Sequence, residues 1–300
     1  MSTTEHSFWM KQTPELKSLL VSQLILPGSH DSGSDKEAPN FQLPQEITQD
    51  VSPKKQLLHG VRALDLRVAF YSKYAPGQPE RFQLFHRTSS GRTVANDILG
   101  MLRDYFEDPR AQQEIVVLDF HEFRDFTPQA HEELKALIID TLQSKIIPHH
   151  FNNLQVGEIW SQHPGKNVVV AYNTSPRHAL FWYGVNQHWS GENLLSTHNL
   201  KLFMDSRIGK YKSHDELASI QCAKYVLPFF VPDDFSDKID SWFFSEKEHS
   251  YIQNFFIINT DWTTRSQLVK NCRHANQLKA QKVTSSPPLK DRTLEAALSN

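Results

Sequence analysis

Four short stretches of this 300-residue chain carry side chains able to move protons or hold a charged group. LILPGSHDSGS places His30 beside Asp31 just after an apolar run, and FQLFHRTSSG ends a second run on His86. Imidazoles titrate near pH 6.5, so two of them can present one neutral and one protonated ring at ordinary pH. In GVRALDLRVAF, a two-residue period puts Ala63, Asp65 and Arg67 on one strand face and Leu64, Leu66 and Val68 on the other. In EIVVLDFHEF the same period pairs Asp119 with His121 and opposes them to Leu118 and Phe120. A charged pair on such a face needs a partner, so Asp65 and Arg67 are expected to meet each other or a charged ligand. Taken singly, each stretch also has a structural reading: a turn at His30-Asp31, an ion pair at Asp65-Arg67, a capped strand at Asp119-His121. Their recurrence at the ends of successive strands favours chemistry.

The elements that would position them alternate. Strands are expected at Gln23–Leu26, Val61–Phe70, Phe82–His86, Glu114–Phe120, Asn167–Tyr172, Lys224–Phe230 and Asn254–Asn259. Helical spacing marks TVANDILGMLRDYFED after a Thr93 cap, TPQAHEELKALIIDTLQSKI from its Thr127-Pro128 start, PDDFSDKIDSWFFSEKE and DWTTRSQLVKNCRHANQLKAQ. Alternating strands and helices over this length predict one α/β domain, a (β/α)8 barrel of parallel strands, whose active residues gather at the C-terminal strand ends. The barrel is placed at residues 1–282, and the polar, proline-containing residues 283–300 are expected to form a mobile tail.

Composition narrows the function classes. Hydrophobic residues make up 39% and charged residues 22%, as in an ordinary globular protein, and the formal charge of −2 argues against non-specific nucleic-acid binding. No apolar run is long enough to cross a bilayer, and the N-terminal residues lack the apolar core of a secretory signal, which predicts a cytosolic protein. Only two cysteines occur, Cys222 and Cys272, without the spacing of a zinc site, so both are expected as buried reduced thiols.

Together LPGSHDSGS, GVRALDLRV and EIVVLDFHEF resemble the phosphatidylinositol-specific phospholipase C X-domain family, in particular its small proteins that contain little besides this domain. LFWYGVNQHWSG and FFIINTDWTTRSQLVKNCRHAN resemble later segments, so the likeness runs from about Trp9 to Leu278. The resemblance implies a distorted TIM-type barrel that cleaves the phosphodiester of phosphatidylinositol, releasing diacylglycerol and a cyclic or linear inositol phosphate. By position, His30 matches the general base acting on the inositol 2-hydroxyl, and His86 the general acid for the departing oxygen. Asp261 of INTDW matches the aspartate that orients the first histidine, and Asp31 and Asp65 match groups around the phosphate. His121 and Asp119 fall near substrate-binding positions. Tyr172 and Asn173 end the strand where the family supplies a further contact to the headgroup.

Arg67 stands where calcium-dependent members carry an acidic residue, and His121 stands at another of their calcium-carboxylate positions. A guanidinium there repels a cation and itself binds phosphate oxygens, so the resemblance implies no metal cofactor and no calcium requirement. Asp31, Asp65 and Asp119 could in principle hold a divalent ion, and Arg67 among them argues against it. The expected partner is a phosphoinositide lipid reached by transient, peripheral membrane contact. Phe181, Trp182, Tyr183 and Trp189 are read either as interfacial aromatics or as packing over the barrel mouth. Two alternatives stay open: a phosphoinositide-binding regulator on the same barrel, and an enzyme for another lipid phosphodiester.

Overall fold

The computed structural model describes residues 6–210 and 215–285. Its strands are β1 (Leu26–Ser29), β2 (Ala63–Phe70), β3 (Phe82–His86), β4 (Thr88–Thr93), β5 (Val116–Arg124), β6 (Val168–Tyr172), β7 (Trp182–Tyr183), β8 (Asn186–His188), β9 (Ala218–Cys222), β10 (Tyr225–Val226), β11 (Val231–Pro232) and β12 (Ile257–Thr260). The helices are α1 (Pro53–Leu58), α2 (Met101–Tyr105), α3 (Pro128–Leu142), α4 (Val156–Gln162), α5 (Thr197–Arg207), α6 (Ser236–Trp242) and α7 (Leu268–Ser285).

Parallel strands run in the order β7-β6-β5-β2-β1-β12-β9-β8 and curl into a distorted TIM-type barrel. The two ends of this path, β7 and β8, are joined by Gly184 and Val185 alone, with no helix between them. That connection is too short for a parallel crossover, and the two strands are not paired, which leaves the barrel open along one seam.

The face alternation read from the sequence decides the core. Leu64, Leu66 and Val68 of β2 and Leu118 and Phe120 of β5 pack outward with Val168 and Val170, against Leu134, Ile138 and Leu142 of α3. Ala63, Val117, Val169 and Ile257 face the interior, where Trp9, Met10 and Leu16 of the N-terminal segment join them. Helix α3 begins where the proline signature predicts, with the Thr127 hydroxyl accepting from Ala130 N. Helix α2 is preceded by a wider π-type turn, Val94–Gly100, capped by Thr93.

Several expectations need correction. The strand expected at Gln23–Leu26 starts only at Leu26, because Val21–Gln23 forms a 3-10 turn. The ninth strand is Ala218–Cys222, whereas Lys224–Phe230 contributes only Tyr225–Val226 to a small antiparallel hairpin, since Pro228 and the turn after it break the apolar run. β3 is not a barrel strand: it runs antiparallel to β2 and returns the chain toward the site. Helix α7 continues through Ser285, past the expected boundary at 282, and the remainder of the expected tail lies outside the described residues. Both cysteines are free and buried, as expected.

Candidate active site

The C-terminal ends of the barrel strands surround a cavity of about 500 Å³ lined by His30, Arg67, His86, His121, Gln187 and Tyr225 among others. β1 enters it through Gly28, where a side chain would collide with the Asn259 amide; a Cβ there would lie 2.0 Å from Asn259 Oδ1. The chain then turns sharply. Asp31, Arg87 and Trp262, the residues directly after His30, His86 and Asp261, all have left-handed backbone, with φ of 45°, 62° and 50°. Backbone that costs on the order of 1–3 kcal/mol per residue thus follows both cavity histidines and the aspartate that holds one of them.

His30 Nδ1 lies 2.8 Å from Asp261 Oδ1, and its Nε2 lies 3.1 Å from Nη2 of Arg67. A guanidinium only donates, so Nε2 accepts and the ring proton sits on Nδ1, directed at Asp261. Burial pulls the His30 pKa down, but the Asp261 charge and hydrogen bond, with Asp31, outweigh it and raise the pKa above its ordinary value. Such a ring is held in one tautomer and binds a proton more tightly than a free imidazole. The Gln49 side-chain amide ties the His30 and Thr260 carbonyls together at 2.8 and 3.0 Å.

Arg67 joins the turn that carries His30 to β5. Its Nε is 2.8 Å from Asp31 Oδ1 and its Nη1 3.3 Å from Glu122 Oε2. Burial opposes its charge, yet Asp31 and Asp65 hold its pKa above the ordinary arginine value, so it stays cationic. The expected Asp65–Arg67 contact is replaced by a different pairing: Asp65 Oδ1 is 2.6 Å from His121 Nδ1. Despite burial, His121 holds Asp65 well below the carboxylate range, and Asp65 in turn pushes His121 up to about 9. Burial pushes the neighbouring Asp119 up to about 7, and Gln187 donates to it at 2.6 Å.

Asp65, Asp119 and His121 could supply three ligand atoms to a cation, all within 4.8 Å of one another. Asp65 and His121 face each other as a charge pair at 2.6 Å, and the Gln187 amide occupies one oxygen of Asp119. Arg67 lies close enough to act electrostatically on both Asp65 and His121, and its charge opposes a cation among them.

His86 arrives from the opposite side, on the returning strand β3. Its Nδ1 donates to the Glu46 carbonyl at 2.8 Å, its Nε2 lies 3.6 Å from Asp31 Oδ2, and its ring centroid is 6.5 Å from that of His30. Asp31, Asp65, Asp119 and Asp261 stand behind the cavity wall and act through the residues they touch. Tyr172 does not reach the cavity. It pairs in register with Phe120 on the outer face, among Phe120, Phe123 and Phe181, because the parity of β6 sends Ala171 inward instead. Asn173 is exposed at the strand end and donates to the His121 carbonyl at 3.2 Å, so its contact with the site is through backbone.

Among the cavity residues that the sequence reading did not single out are Glu122, Gln187 and Tyr225. Glu122 joins His121 at the site because β5 bulges: Leu66 pairs with Phe120 and Arg67 with Glu122, leaving His121 as the extra residue. Gln187 and Tyr225 come from short segments whose two- or three-residue strands give no periodic signal. Of the aromatics considered for the interface, Phe181 and Trp182 are fully buried, while Tyr183 and Trp189 are half exposed. The most exposed large apolar side chains among the described residues are Phe41 at 87%, Phe229 at 79% and Leu227 at 65%.

Comparison with known proteins bears on the fold that carries this site. PI-PLC X domain-containing protein 1 of Homo sapiens is 26% identical over 226 residues, which span 66% of this chain and 67% of that protein. PI-PLC X domain-containing protein 2 of Homo sapiens is 25% identical over 231 residues, 68% of this chain and 73% of that protein. The chain resembles the PI-PLC X-domain family. A phosphatidylinositol-specific phospholipase C structure from Listeria monocytogenes superimposes with a TM-score of 0.67 at 15% identity, covering 92% of this chain and 99% of that one. One from Staphylococcus aureus gives 0.68 at 12% identity, covering 92% and 100%. At that identity the two structures establish the fold of this X-domain-like chain. No family model matches it.

Proposed function

We propose that this chain is a metal-independent phospholipase C acting on phosphatidylinositol or a closely related inositol lipid. The observation that carries the reading is the His30–Asp261 pair set 6.5 Å, ring to ring, from His86, with Arg67 against His30 and Asp31 in the same cavity. His30 Nε2 removes the proton of the inositol 2-hydroxyl, whose oxygen attacks phosphorus. The bond from phosphorus to the diacylglycerol oxygen breaks, and His86 delivers a proton to that oxygen. The product is a cyclic inositol phosphodiester. Water then opens it with the two histidines exchanging roles.

Arg67 meets the charge that develops on phosphorus, in the place of a metal. Its Nη2 also caps the lone pair of His30. An arriving phosphate competes for that Nη2 and so frees Nε2 as it binds, which ties the base's availability to the presence of an anion. Asp31 holds Arg67 from behind, and Gln187 and His121 offer polar contacts to the headgroup. The exposed Phe41, Leu227 and Phe229 offer apolar side chains for peripheral contact with the bilayer that contains the substrate. Among the described residues no helix is long and apolar enough to cross a membrane.

Headgroup release from vesicles containing phosphatidylinositol tests the assignment. His30→Ala and His86→Ala are each expected to lower the rate by about 10²-fold or more. Unchanged release in both variants would refute the mechanism, and vesicle binding without turnover in the wild type would favour the regulatory alternative.

A further inference from the structure

The hydroxyl of Tyr225 touches two groups that cannot both receive its single proton. It lies 3.0 Å from the Gln45 carbonyl oxygen and 3.2 Å from His86 Nε2. The other nitrogen of His86 is already committed, because Nδ1 lies 2.8 Å from the Glu46 carbonyl, which can only accept. Two proton arrangements satisfy this triangle. With His86 protonated, Nε2–H donates to the Tyr225 oxygen while Tyr225 donates to Gln45. With His86 neutral, Nε2 is a bare acceptor, and rotation about the Tyr225 C–O bond turns its hydrogen onto that nitrogen.

We propose that Tyr225 is a positioning residue for His86, its hydroxyl changing from acceptor to donor as His86 gives up its proton and back again as it regains one. This rests on the reading of His86 as general acid. During cleavage the Nε2 proton goes to the departing oxygen as its bond to phosphorus breaks, and the Tyr225 hydrogen turns from Gln45 to the emptied lone pair. When His86 takes a proton from the attacking water, the hydroxyl swings back to Gln45. Tyr225 keeps its own proton throughout: burial, with Asp261 and Asp31, holds the phenol well above its ordinary range against the opposing Arg67 and Arg87.

The surroundings are built to hold this triangle. Both carbonyls belong to the turn Pro44–Glu46, and the buried Glu46 carboxylate fixes that turn by accepting from Leu43 N and Thr88 N at 2.9 Å and from Thr88 Oγ1 at 3.1 Å. Tyr225 donates its backbone N–H to Asn193 O at 2.8 Å and stacks on Phe230 at 4.7 Å between centroids. The charged and titratable groups facing the pair are Asp31 and His30 from the turn after β1, Arg67 from β2, Arg87 after β3, Asp261 after β12, and Glu46.

A hydrogen bond from an imidazolium is stronger than one to a neutral ring, so loss of the hydroxyl disfavours protonated His86 more than neutral His86. Tyr225→Phe keeps the ring and its stacking. In NMR titrations of the full chain with labelled histidines, the His86 midpoint is expected to fall by about 0.5–1 pH unit in Tyr225→Phe, with that of His30 unmoved. The alkaline limb of the kcat profile on phosphatidylinositol vesicles should fall with it, KM staying within about twofold. Replacing tyrosine by 3,5-difluorotyrosine, a weaker acceptor, should move the His86 midpoint the same way and leaves the packing intact. An identical His86 midpoint in wild type and variant would overturn the proposal. The titration needs no turnover, so a shifted midpoint in a chain that releases no headgroup would support this role of Tyr225 while refuting the proposed activity.

Discussion

Arg62 and Arg67 lie five positions apart, just before β2 and within it, and both are held by carboxylates, yet they use their charge differently. The Arg62 side chain is 0% exposed and saturated: Nε and Nη2 reach Glu114 Oε2 at 2.9 and 2.6 Å, Nη1 reaches the Leu57 and Val61 carbonyls, and Nη2 also reaches Ser7 O. Glu114 in turn accepts the backbone N–H groups of Met10 and Lys11, pinning the N-terminal segment under the barrel. Arg67 is 22% exposed, and one of its donors is spent on the neutral Nε2 of His30 and another on the half-exposed Glu122 across the cavity. An arginine with every donor satisfied is a structural tie. One whose donors rest on weak or solvent-facing partners can exchange them for a phosphate.

The largest effect that sharpens this contrast is on stability. Arg62→Met leaves Glu114 buried without a counter-charge and is expected to cost about 3–5 kcal/mol in urea unfolding, with headgroup release per folded molecule unchanged. Loss of release at unchanged stability would reverse the comparison. Next is Arg67→Lys: a point charge on a flexible stem cannot serve Asp31, His30 and Glu122 together. The rate of release should fall about 10²–10³-fold while stability moves by less than about 1 kcal/mol, and a wild-type rate would remove Arg67 from the mechanism.

A smaller effect separates Arg67 from the neighbouring ion pair. The folded pKa of His121, about 9, lies above its ordinary 6.5, so its contribution to stability is complete below about pH 6.5 and is lost as pH rises through 9. Asp65 is displaced the other way, below its ordinary 3.8, so its share is present above that value and lost on acidification. His121→Gln can still donate to Asp65 and carries no titrating charge. The stability advantage of wild type over His121→Gln should shrink by about 1–3 kcal/mol between pH 6 and 9.5, as followed by urea unfolding. An advantage independent of pH would mean that the contact is not an ion pair.

Much of this was legible from residue order because a strand's parity is strict. Ala63, Asp65 and Arg67 turn inward as the two-residue period requires, and the motif around His30 ends a barrel strand. What escaped depends on where the period breaks or never begins. The bulge after Phe120 brings His121 and Glu122 to the site together, and nothing in HEF announces it. Tyr172 was placed at the site by its position at a strand end, and its parity with Phe120 puts it outside. Tyr225 sits in an apolar run that reads as a barrel strand, and Pro228 and the turn that follows make it a hairpin aimed at His86. Asp261 was tied to His30 only through the family resemblance, since 231 positions separate the two partners.

The central claim is that a guanidinium replaces a metal in this site. Headgroup release from vesicles containing phosphatidylinositol, compared in excess EDTA and in millimolar calcium, tests it most directly. The account predicts release at equal rates in both, abolished in both by His30→Ala. Release that appears only with calcium would contradict it.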